Sequence, residues 1–239
     1  MGKAVVYTAS RNLYPHMVYS LRSLLENGNV DKIYFIIEDD HLPFDVPNSE
    51  IINVGDSYRN IFPDGSPNGN FMFHRMCLMR VLTARLLPKD LEKVLQLDAD
   101  TIICDDLSPL WDIDLTGKYF SATQEFKGCH RPYGEKYYNV GVCMYNLKYI
   151  RETSFDYKVL NALNTEKFLY GEQCAYNKYA LPNNKIADMP VRFNETQFTG
   201  FTDHPAIVHF AGTKNWYESP SFMIRREYLE MYKNEGDVL

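Results

Sequence analysis

The sequence predicts an α/β fold, with one mostly parallel central sheet and helices on both of its faces. Two features carry that expectation. Apolar runs of strand length recur at residues 4–8, 32–37, 93–97 and 140–145, bounded by turn residues. Between them lie stretches with helical spacing, and strands that alternate with helices build parallel sheets covered on both sides. The 239 residues are 45% hydrophobic, which suffices for a core of one domain. A single domain over 1–239 is expected, since neither a repeat nor a linker interrupts the pattern.

The first strand is Ala4-Val5-Val6-Tyr7-Thr8, followed by a helix over about 13–25 that ends near Asn27-Gly28. Residues 32–37 read as a buried strand and 51–54 as another. The Gly-, Pro- and Asn-rich stretch 55–70 reads as a long surface loop. A helix over 73–87 is stopped by Pro88. Lys93-Val94-Leu95-Gln96-Leu97 then runs into Asp98-Ala99-Asp100-Thr101-Ile102-Ile103. Later strands are expected at 119–123, 140–145 and 206–210, and helices near 148–151, 156–163, 172–180 and 222–232.

A net charge of −6 argues against a nucleic-acid binder, which carries a basic stripe, but leaves phosphate ligands open. The five cysteines show no C-x-x-C spacing and read as buried thiols in a reducing compartment. No run approaches the roughly 18 apolar residues of a membrane helix, so stable insertion is not expected. The chain opens directly into its first strand, which suggests no secretory signal and a cytoplasmic location. Asn194-Glu195-Thr196 fits a glycosylation sequon, which matters only in a secreted protein.

Asp98 and Asp100 are two apart, so in extended chain both side chains leave one face. They follow a buried strand, and α/β sheets bind ligands beyond the carboxyl ends of their strands. Two carboxylates there suit a hard divalent cation that also holds phosphates. Asp112-Ile113-Asp114 has the same spacing but sits in an expected surface loop after Pro109, where a solvated turn is the plainer reading. His209 ends the apolar run Ala206-Ile207-Val208 and precedes Phe210-Ala211-Gly212-Thr213-Lys214. With Asp98 and Asp100 it would complete a Mn²⁺ or Mg²⁺ site, although a hydrogen-bonded core histidine is the alternative.

These pieces, in this order, resemble the retaining glycosyltransferases of family 8, whose fold is called GT-A and which include bacterial lipopolysaccharide galactosyltransferases and glycogenin. The resemblance runs from Val5 to Trp216. Val5-Val6-Tyr7-Thr8-Ala9-Ser10-Arg11-Asn12 is similar to the nucleotide-binding strand and turn, implying donor contacts from Tyr7, Thr8, Ser10 and Asn12. Arg80 matches a helix arginine near the donor, and Leu97-Asp98-Ala99-Asp100-Thr101 the D-x-D motif. The resemblance thus implies donor contacts from Ala99 and Asp100 and metal ligation by Asp98, Asp100 and His209. Tyr138-Asn139-Val140-Gly141-Val142 resembles a segment that places Asn139 near the donor sugar. Glu172-Gln173-Cys174-Ala175-Tyr176-Asn177 resembles a helix start whose central Gln173 faces the anomeric carbon. Gly212 and Lys214 would approach the diphosphate. Ser10, Glu172 and Cys174 stand where the family commonly has Asp, and the segment from Gly212 to Lys214 is one residue shorter than usual.

The implied reaction moves a hexose, with glucose and galactose the first candidates, from a UDP-sugar to a hydroxyl of a glycan or glycoconjugate. Gln173 would stabilise an oxocarbenium-like centre in a front-face mechanism, and Glu172 keeps a double displacement open. The aromatic-rich segment 126–138 is a candidate acceptor loop, in which His130 and Arg131 could equally be a solvated pair. The last residues, 232–239, lack the family's basic tail, which argues against membrane docking there. Two alternatives stay open: a metal-dependent nucleotide-sugar hydrolase or nucleotidyltransferase, and a non-catalytic nucleotide-sugar or carbohydrate binder on the same fold. A dinucleotide enzyme is disfavoured because the turn from Ala9 to Leu13 holds no glycine.

Overall fold

The computed structural model describes residues 2–69, 75–126, 136–212, 216–218 and 225–233. Strand β1 (Ala4–Thr8) is apolar and wholly buried, as expected of the centre of a sheet covered on both faces. It leads through a short 3₁₀ turn (Arg11–Leu13) into α1 (Tyr14–Asn27), which has Pro15 in its first turn and Gly28 just past its end. Strands β2 (Lys32–Ile37) and β3 (Ser49–Asn53) follow in parallel. The predicted loop 55–70 contains a short helix, α2 (Ser57–Ile61). It is also pinned inward: the Asn68 amide is fully buried, donates to the carbonyls of Leu163 and Glu166, and accepts from Phe168 N.

The helix expected over 73–87 is a 3₁₀ segment (Arg75–Leu82) that passes into α3 (Thr83–Leu86), its first two residues lying outside the described ones. So long a 3₁₀ run is uncommon, and its three-residue turn sets Arg80 directly over Cys77, whose carbonyl it caps. Next come β4 (Lys93–Leu97), β5 (Thr101–Ile103), β6 (Phe120–Gln124) and β7 (Tyr138–Asn146). Helices α4 (Leu147–Thr153), α5 (Phe155–Thr165) and α6 (Gly171–Ala180) precede β8 (Ile186–Asp188), β9 (Ile207–His209) and α7 (Arg226–Lys233).

The main sheet has the order β3-β2-β1-β4-β7-β6-β8, and β7 alone runs against the rest. One face carries Val5, Tyr7, Ile33, Phe35 and Leu95 against α1, and the other carries Val6, Ile36 and Val94 against the segment 75–86 and α4–α6. The mostly parallel sheet with two covered faces is thus as the apolar pattern predicts. Two strands depart from the expectation. The chain does not extend β4 through the Asp pair. Instead Thr101 Oγ1 caps the carbonyl of Asp98, and β5 leaves the sheet to pair antiparallel with β9.

Candidate active site

Everything of chemical interest collects at the carboxyl end of β4. Tyr7 pairs with Leu97 in register, so the turn after β1 opens beside the turn after β4. Asp98 and Asp100 leave that turn half-buried, and the buried His209 reaches them from β9, whose register sets Thr101 opposite His209. One ligand atom from each of the three lies within 4.8 Å of the others. His209 Nε2 stands 3.3 Å from Asp100 Oδ1 and 3.8 Å from Asp98 Oδ2.

Gly141 makes this approach possible. A Cβ there would sit 2.1 Å from His209 Cε1 and 2.7 Å from Asp98 Oδ2, closer than real side chains pack. The strand is distorted at this point. Between two paired stretches, β7 passes through Val140, Gly141, Val142 and Cys143 where β6 has Ala122 alone. Bulges of this kind re-aim side chains beside active sites. Asp98 N still bonds Gly141 O at 2.9 Å, tying the carboxylate turn to the bulge.

Part of the acidic charge is met within the protein. Arg80 is buried and donates from Nη2 to Asp98 Oδ1, and its Nε lies 3.4 Å from Glu172 Oε1. Burial opposes its charge, but Asp98 and Glu172 outweigh that and hold the guanidinium protonated. Burial pushes the carboxyls of Asp98 and Glu172 up, and Arg80 pulls both back. Burial also opposes an imidazolium at His209, yet Asp100 and Asp98 hold it above its ordinary value. The group of Asp98, Asp100 and His209 thus favours positive charge. Two carboxylate oxygens, one imidazole nitrogen and a cradle with no room for a Cβ fit a divalent ion.

A chain of amides runs from the histidine to Gln173. His209 Nδ1 is 2.8 Å from Asn194 Oδ1, so Nδ1 carries a proton and Nε2 faces the carboxylates. Asn194 Nδ2 donates to Asn139 Oδ1 at 3.0 Å, and Asn139 Nδ2 donates to Glu125 Oε1 at 3.1 Å. Gln173, in the first turn of α6, donates from Nε2 to the same Glu125 oxygen at 3.2 Å and accepts from Val140 N at 3.1 Å. Asn177 clamps α6 to β7 by bonding both the N–H and the carbonyl of Tyr138.

The structure brings together Asp98, Ala99, Asp100, His209, Arg80, Asn139, Glu172 and Gln173 from the sequence-derived set. Ser10 is buried beside them, its hydroxyl donating to Asn12 Oδ1, while Asn12 itself is exposed. Thr8 is buried at the end of β1, and Gly212 adopts the left-handed φ of +91° against Phe198. The Tyr7 side chain is spent in the core, bonded to Ser20 Oγ and stacked on Phe35, so only its backbone is left for a donor. Arg80 grips Asp98 and Glu172 in place of an open approach to phosphate. Lys214, His130 and Arg131 lie outside the described residues. Sequence reasoning passed over Glu125, named Asn177 only as the end of a motif and read Asn194 only as a sequon. Asn194 is fully buried, so it presents no sequon. The sign for Glu125 was the one that singled out Asp98: a carboxylate ending a buried strand.

The second D-x-D has the plain role. Asp112 and Asp114 are exposed, and Asp114 caps Thr116 N. Among the described residues, Cys77, Cys104, Cys143 and Cys174 are free thiols, as expected, and no helix is long and apolar enough to cross a membrane.

The comparison with known families decides the assignment: residues 4–219 match glycosyl transferase family 8. The chain belongs to that family. It is a glycosyltransferase. It is 23% identical to general stress protein A of Bacillus subtilis, over 94% of this chain and 91% of that protein. An active-site mutant of LgtC superposes with a TM-score of 0.73 at 17% identity, covering 96% of this chain and 94% of the other. Galactosyltransferase LgtC has also been solved with donor and acceptor sugar analogs, and GlyE of Streptococcus pneumoniae TIGR4 superposes with a TM-score of 0.70 at 20% identity, over 99% of this chain and 61% of GlyE. These likenesses share the GT-A architecture of the mixed sheet described above.

Proposed function

We propose that this family 8 enzyme transfers a hexosyl group from a UDP-sugar to a hydroxyl of a glycan or glycoconjugate with retention of configuration. The observation that carries the reading is the joining of the Asp98–Asp100–His209 cluster to Gln173 by one hydrogen-bonded chain. That cluster would hold Mn²⁺ or Mg²⁺, which when bound supplies a Lewis acid that neutralises charge on the departing diphosphate.

The remaining work falls to the chain's own groups. Thr8, Ser10 and Asn12 receive the nucleoside, with Tyr7 as their backing, and Ala99 and Gly212 admit the diphosphate close to the backbone. Lys214 adds a phosphate charge. Arg80 keeps Asp98 ionised and aimed. Asn139 and Glu172 meet the sugar. Glu172 Oε2 is buried with no hydrogen-bond partner among the described residues, as suits an oxygen waiting for a hydroxyl.

Gln173 is an amide and a poor nucleophile, so retention is assigned to a front-face route. The departing diphosphate takes the acceptor's proton, and Gln173 stabilises the oxocarbenium-like centre. Glu172, drawn to Arg80, is poorly placed for a double displacement. The test is product analysis with a UDP-sugar and candidate acceptors. Acceptor-dependent release of UDP and an α-configured product from an α-linked donor support the reading. UMP would show cleavage at phosphorus, and UDP release indifferent to acceptor would mark a hydrolase.

A further inference from the structure

We infer that Glu125 is a positioning residue, whose carboxylate fixes which way the Gln173 and Asn139 amides face; the inference rests on the transfer reaction proposed above. Glu125 directly follows β6 in the protein interior, 3% exposed, and its backbone N–H is pinned to Tyr137 O at 2.8 Å. Its Oε1 receives both amides, from Asn139 Nδ2 at 3.1 Å and from Gln173 Nε2 at 3.2 Å.

One carboxyl oxygen that meets two amides accepts from both, so each amide turns its NH₂ toward it. The far ends then agree. Gln173 Oε1 accepts from Val140 N, and Asn139 Oδ1 accepts from Gly141 N and from Asn194 Nδ2. A flipped Gln173 would set NH₂ against the Val140 N–H and oxygen against the carboxylate, two buried mismatches at once. The polarity passes on through Asn194, whose Oδ1 faces His209 Nδ1. Glu125 therefore sets the sense of the chain together with the N–H groups of Val140 and Gly141, holding the NH₂ ends as they hold the oxygen ends, without touching the reacting atoms. An amide in its place keeps one accepting face, and whenever its NH₂ turns inward it opposes both neighbouring NH₂ groups and loosens their hold.

The experiment is a double-mutant cycle of Glu125→Gln with Gln173→Ala, joined to side-chain amide signals in ¹⁵N-labelled protein. Expected for Glu125→Gln are a kcat about 10²-fold lower, the scale of a misaimed group, and a donor KM within about twofold. The Gln173 and Asn139 NH₂ signals should both move, and in the Gln173→Ala background the same change should cost less than about twofold. Glu125→Asp, which keeps the charge, should restore part of the rate, and it replaces Glu125→Gln in the cycle if that variant does not fold. Equal losses in both backgrounds, or unmoved amide signals, overturn the inference. A wild type inactive on every donor refutes the transferase reading, and the signals then still decide whether Glu125 anchors the two amides.

Discussion

Gly141 and His209 are in such close contact that a methyl group on the glycine would lie 2.1 Å from His209 Cε1. The metal cluster and the β7 bulge are therefore one construction. The obstacle is the buried His209 imidazole on one side and the Asp98 carboxylate on the other. Gly141→Ala should leave a folded protein that no longer shows a Mn²⁺-induced rise in melting temperature, with activity down at least 10²-fold. Retention of the metal-induced shift would show that the cradle has room to spare.

The Arg151 guanidinium binds five carbonyls at the end of α3, those of Ala84, Leu87, Pro88, Lys89 and Leu91. This fork holds the end of α3, which continues the 3₁₀ segment that bears Arg80. Replacement by Met strands those carbonyls and should cost about 3 kcal/mol in urea unfolding, by analogy with charged hydrogen bonds. Arg151→Lys should recover less than half of that, since one ammonium cannot span the set. A loss below about 0.5 kcal/mol would show that water serves these carbonyls equally well.

Desolvation holds the His16 imidazole below its ordinary value, where it stacks on Tyr217 at 3.3 Å. The unfolded chain then binds a proton more readily than the folded one. Stability is fully present above the unfolded value of about 6.5 and falls as pH drops through the window beneath it. The melting temperature should decline from pH 7.5 to 5.5, and His16→Gln should flatten part of that decline. An unchanged slope in the variant would assign the decline to other groups.

Glu172→Gln separates the two routes to retention. On the front-face route the variant keeps transfer within about tenfold, losing mainly the charge paired with Arg80, and no glycosyl adduct is trapped. A loss beyond about 10³-fold together with a covalent adduct on Glu172 in the wild type would establish double displacement instead.

Much of the fold was legible because the deciding forces are local. The runs at β1, β2 and β4 are apolar enough that only a sheet covered on both faces could accommodate them. β8 was missed because its three residues have burial too uneven to make a pattern. β9 was legible as a strand and Thr101–Ile103 only as the continuation of the run after β4, and their separate pairing was not, because the decision lies in the cap that Thr101 places on Asp98. Within the site, the cluster of Asp98 and Asp100 could be read since carboxylates beyond a buried strand are costly without a task. Asn194 could not, because its amide matters through His209, fifteen positions away across an irregular segment. The polarity of the amide chain is likewise a property of contacts, which no spacing in the sequence encodes.

The central claim is that Asp98, Asp100 and His209 hold the cation that lets this chain use a nucleotide diphosphate sugar. The direct measurement is nucleotide diphosphate release from a panel of UDP-sugars with Mn²⁺, with GDP- and dTDP-sugars as controls, for the wild type and for Asp98→Asn/Asp100→Asn. Metal-dependent UDP release from one sugar, lost by at least 10²-fold in the double variant, is the predicted result. Equal release by both proteins, or release unaffected by a chelator, would contradict the account.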